Sequence, residues 1–168
     1  MLIAWPMPPV PAPADLLVVA LALLLVRASS RLGMWPYALV ALPGTAMHEF
    51  AHWLVALVLG AHPDFPSLIP QRGPHGWRLG SVAFRAGFLR AVPIVLAPLL
   101  LFPMAWWWTL AFVASSSWPE RALHAWLAAS VLSASLPSSA DWKIARPALL
   151  LALLAGLAWI VARTMSGN

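Results

Sequence analysis

The chain has 168 residues, of which 62% are apolar and only 9% charged, against about 25% charged residues in a soluble domain. So few charges cannot coat a folded globule of this size, whereas lipid can cover an apolar one, so residues 1–168 read as a single membrane-embedded domain. Ten Lys and Arg against five Asp and Glu leave a net charge of +5, but the cations lie scattered between apolar runs, which argues against a nucleic-acid partner.

Residues 1–13 form a proline-rich arm, with five prolines and no Lys or Arg in the first fourteen positions. A secretory signal needs a basic start and a continuous apolar helix, so none is expected; the arm reads as irregular or interfacial, with Trp5 among lipid headgroups. Five apolar stretches then approach the roughly 20 residues needed to span a bilayer: 14–28, 35–59, 89–114, 120–140 and 147–163. The expected fold class is therefore an all-α integral membrane protein of about five transmembrane helices.

Between the second and third stretches lies the one long polar segment, residues 60–90, carrying His62, Asp64 and His75. Ser67-Leu68-Ile69 and Gly80-Ser81-Val82-Ala83-Phe84 flank a turn rich in Pro and Gly, and predict a small β-hairpin at the membrane surface. Its free edge invites pairing with another extended chain. In the third stretch Pro93, Pro98 and Pro103 predict kinks. Counting cations on either side of five crossings gives six on the side of the N-terminus (Arg72, Arg78, Arg85, Arg90, Lys143, Arg146) and four on the other, a weak bias for a cytoplasmic N-terminus.

The second stretch carries His48-Glu49-Phe50-Ala51-His52. Ionisable residues inside an apolar helix each cost about 2.5–3.5 kcal/mol by insertion scales for the strongly charged types, so three together require a compensating partner. Positions i and i+4 share one helix face, so His48 and His52 can present imidazoles to one ion, with Zn2+ the expected cofactor. Glu49 is set to take a proton from a water attacking a carbonyl. The chain has no cysteine, so any further ligand must be His or a carboxylate.

A catalytic zinc keeps three protein ligands and one open position. Asp15 reads as a helix-start residue, Asp64 as a loop residue, and Glu120, after Ser117-Trp118-Pro119, as a first-turn acid. Asp141 ends an apolar run after the break at Pro137 and is the expected third ligand, at the end of the fourth helix that faces the side of the N-terminus. His124 lies seventeen residues before it, about 25 Å along a helix, and is not expected at the metal. Ser130, Ser133, Ser135, Ser138 and Ser139 suit either close helix packing or a wet approach to the site.

These features, in this order from about residue 43 to residue 143, resemble the site-2 protease family of intramembrane zinc metalloproteases. The resemblance implies zinc on His48, His52 and Asp141, Glu49 as catalytic glutamate, and a minimal, core-only member. It departs from many members around Asp141, where Ser138-Ser139-Ala140 precedes and Trp142 follows in place of an Asn-Pro-Asp-Gly-like stretch. It also implies hydrolysis of a peptide bond in or near a transmembrane segment of a single-pass substrate, such as an anti-sigma factor or signal-peptide remnant, in a multi-pass protein of the bacterial inner membrane. Residues 80–84 would hold the unwound substrate by backbone pairing. Two other readings stand beside it: a membrane protein that carries or senses zinc without hydrolysis, and an inactive relative that only binds substrate.

Overall fold

The computed structural model describes residues 10–73 and 76–166. Trp5, most of the proline-rich arm and His75 lie outside the described residues. The chain is mostly helical: α1 (Pro13–Ser29), α2 (Met34–Val40), α3 (Leu42–Val58), α4 (Phe88–Leu96), α5 (Leu101–Trp108), α6 (Glu120–Ser133) and α7 (Ser139–Ser166). Among the described residues, three continuous helical segments are long and apolar enough to cross a membrane: Pro13–Leu32, Phe88–Val113 and Ser139–Ser166.

Proline and capping chemistry set where these helices begin and break. Pro13 occupies the start of α1, where its missing N–H costs nothing, and Asp15 in the first turn accepts the Ala12 N–H at 3.1 Å. The second apolar stretch is two helices rather than one. Pro43 has no N–H to give to the Leu39 carbonyl four residues back, so the helical ladder loses a bond at the junction of α2 and α3, although Ala41 there still donates to the Tyr37 carbonyl at 2.8 Å. The third stretch stays helical through all three prolines by changing its winding. It tightens to a 3-10 turn at Ala97–Leu100, around Pro98, and widens to a π turn at Thr109–Val113. The fourth stretch is shorter than expected, ending at Ser133, and the fifth begins earlier, at Ser139.

Small residues on α6 let its neighbours approach. Ala125, Ala128 and Ala129 are fully or almost fully buried with Val19 and Val26 of α1 and Val113. Gly44 of α3 donates its backbone N–H to the buried Ser130 Oγ at 2.8 Å, and a Cβ at Gly44 would overlap the Ser130 carbonyl group. Ser133 and Ser135 donate to the backbone carbonyls of Ser130 and Leu132, so these two hydroxyls serve packing. Of α7 only Asp141 and Ala145 are buried; its outer turns expose Leu, Ile, Val and Trp side chains, as a lipid-facing helix does.

The loop after α3 contains a two-stranded antiparallel sheet, β1 (Gln71–Gly73) and β2 (Gly76–Arg78), paired Gln71 with Arg78 and Gly73 with Gly76. The regular strands sit closer to the turn than the sequence suggests. Pro66 and Pro70 lack donors, so a continuous ladder cannot run down that arm. The expected segments 67–69 and 80–84 are nevertheless joined, by the Ser67–Ser81 bridge and by the Asp64 N–H donating to the Ala83 carbonyl at 2.8 Å.

Candidate metal centre

Three side chains from two helices converge between α3, α4, α6 and α7. The Nε2 atoms of His48 and His52, one turn apart on α3, lie 3.1 Å from each other. Asp141 completes the group, its Oδ2 being 3.6 Å from His48 Nε2 and its Oδ1 3.5 Å from His52 Nε2. Ligand atoms of all three fall within 4.8 Å of one another, so the group could hold a metal ion, and among the described residues no other set of three such side chains does so.

Each donor is oriented by a backbone feature. His52 Nδ1–H donates to the Ile94 carbonyl of α4 at 2.7 Å. In a regular helix that carbonyl would be taken by the N–H of residue 98, but residue 98 is proline, and only the tighter 3-10 bond from Ala97 competes. His48 Nδ1–H donates to the Ala134 carbonyl at 2.7 Å. Ala134 lies at the C-terminal end of α6, where the last carbonyls have no helical partner. Both imidazoles are thereby held with Nδ1 protonated and the Nε2 lone pair free, as a metal ligand requires.

Asp141 is held by the start of its own helix. The Ser138 N–H donates to Asp141 Oδ2 at 2.7 Å, and the Asp141 N–H points back to Ser138 Oγ at 3.3 Å. This reciprocal pair is a capping box, so Asp141 stands in the first turn of α7 and not at the end of the fourth helix, where its position in the apolar pattern had placed it. The Ser-x-x-Asp spacing of residues 138–141 is the signal that identifies this helix start. Two imidazole nitrogens and one carboxylate form a donor set that could hold a divalent metal ion.

Glu49 is buried on α3 beside this cluster, 7% exposed. The backbone of Gly80 packs directly on its side chain. His48, Glu49, His52 and Asp141 line a cleft of about 650 Å³, whose other walls include Gly80, Ser81, Val82 and Phe84; Ala83 is not part of the lining. Ser81 pairs in both directions with Ser67, and the Ala83 carbonyl accepts from Asp64. Among the described residues the backbones of Gly80 and Val82 form no such bonds, so that edge is unpaired, with Gly80 buried and Val82 half-buried.

Among the described residues, the other acids and histidines stand elsewhere. Asp15 pairs with Arg121 at 3.6 Å, tying the start of α1 to α6. Glu120 opens α6, and neither it nor Asp64 lines the cleft. His124 is stacked on Phe112 at 5.4 Å between ring centres. No protein-family model, no curated protein and no solved structure matches this chain.

Proposed function

We propose that this chain is a zinc-dependent intramembrane endopeptidase of the site-2 protease type, hydrolysing a peptide bond in or near a transmembrane segment of a single-pass membrane protein. The observation that carries the reading is the convergence of His48 Nε2, His52 Nε2 and the Asp141 carboxylate beside a buried Glu49 at one cleft. In this reading α3 and α6 complete five crossings of the bilayer with the three longer apolar helices, and the protein resides in the bacterial inner membrane.

His48, His52 and Asp141 would hold the zinc, which when bound would supply the Lewis acidity to polarise a carbonyl and to lower the pKa of water towards neutrality. Glu49 accepts the proton of the attacking water on its carboxylate and returns it to the departing amine nitrogen. The Ile94 and Ala134 carbonyls keep the two imidazoles in the tautomer that leaves Nε2 unprotonated. A helical substrate hides its amide groups, so it must unwind before attack. The unpaired backbone at Gly80 and Val82 is placed to hold the extended chain by strand addition beside Glu49 once the substrate enters the cleft.

The test is metal dependence in the full-length protein. Cleavage of a single-pass reporter substrate is expected to stop on chelation and to return on addition of zinc. Cleavage that continues in metal-free protein contradicts the reading.

A further inference from the structure

The cleft lining holds three cations, Arg72, Arg78 and Lys143, against the two carboxylates of Glu49 and Asp141. Arg72 of β1, Arg78 of β2 and Lys143 of α7 line it together with the metal-ligating group, and all three are exposed. They come from two separate parts of the chain, the hairpin and the first turns of α7. Among the described residues none of the three forms an ion pair.

The chain has few anions with which to neutralise them, because it holds only five acids. Asp15 is taken by Arg121. Asp64 and Glu120 do not line the cleft. Glu49 and Asp141 do, but they sit buried at the metal centre, where a divalent cation would offset both charges. The surplus at the cleft is therefore left for something that enters it.

Resting on the protease reading above, we propose that Arg72, Arg78 and Lys143 form a specificity site for carboxylate side chains in the unwound substrate segment beside the cleaved bond. The substrate class is thereby a single-pass protein whose transmembrane segment is bordered by Asp or Glu. A peptide is favoured over a lipid headgroup because these cations face the same volume as Glu49 and the unpaired edge at Gly80 and Val82. Arg27, Arg31, Arg85, Arg90 and Arg163 lie outside the cleft lining and suit headgroups. A carboxylate carries the charge that an amide of the same shape lacks, so three cations around one bound segment discriminate between the two.

The experiment uses full-length protein in phosphatidylcholine vesicles and two single-pass reporter substrates, one with Asp and Glu bordering the apolar segment and one with Asn and Gln there. The wild type is expected to cleave the acidic substrate with a kcat/KM higher by on the order of tenfold. Arg72→Gln/Arg78→Gln/Lys143→Gln moves that ratio towards one, as Lys143→Gln alone does in part, and Arg163→Gln keeps it. Zinc-loaded Glu49→Gln protein, which binds without cleaving, is expected to show the same ratio in Kd. If neither substrate is cut, the protease reading fails, and the Kd ratio still decides this proposal. Equal kcat/KM and equal Kd for the two substrates overturn it. So does a triple variant that keeps the ratio but loses affinity for phosphatidylglycerol vesicles, which assigns the cations to lipid.

Discussion

The backbone of Gly80 is pressed against the side chain of Glu49. A methyl group added at residue 80 would fall 2.7 Å from Glu49 Cγ and 2.8 Å from Oε1, closer than real carbon contacts allow. The hairpin strand and the carboxyl at the metal centre therefore share one position. Gly80→Ala is expected to push the Glu49 carboxyl aside, and displacements of about 1 Å cost on the order of 100-fold in rate. Zinc content, measured by plasma mass spectrometry, is expected to stay at the wild-type value because the three ligands are untouched. A Gly80→Ala enzyme with full activity would remove this contact from the mechanism.

The assignment of the third ligand is tested by contrasting two acids. Asp141→Asn removes the carboxylate between the two imidazoles, whereas Glu120→Gln alters an acid in the first turn of α6 that does not line the cleft. Zinc per chain is expected to fall sharply in the first variant and to remain unchanged in the second. The opposite pattern would transfer the ligand role to Glu120.

Pro98 acts on the candidate metal group through His52. By withholding an N–H from the Ile94 carbonyl, it leaves that oxygen to the imidazole Nδ1–H, 2.7 Å away. Pro98→Ala restores a competing helical donor. Loss of such a supporting bond lowers metal affinity by about 10–100-fold, which a competitive zinc titration of the purified variant measures. Unchanged affinity would show that the imidazole is held by packing alone.

The parts legible in the sequence were those governed by local spacing. Positions 48 and 52 share a helix face whatever surrounds them, and the described residues place both imidazoles together. Asp141 was found by elimination among five acids, but its helix was misplaced. Hydropathy follows the apolar run across Pro137, while the Ser138–Asp141 capping box starts a new helix. The turn residues announce the hairpin, but alternation alone places its strands too far from the turn, because it takes no account of the donors that Pro66 and Pro70 lack. Hydropathy likewise runs through the junction of α2 and α3, where Pro43 stands inside an apolar stretch. The contacts of Ile94 and Ala134 with the imidazoles link residues far apart in the chain, and no local pattern announces them.

The most direct test of the whole account compares wild-type and Glu49→Gln protein at matched zinc content, with mass spectrometry of the membrane proteins expressed beside each. New termini within or next to transmembrane segments are expected with the wild type and not with Glu49→Gln, while both proteins carry about one zinc per chain. Identical peptide sets from the two proteins, each with its metal in place, would contradict a hydrolytic role for Glu49 and leave a metal site without proteolysis.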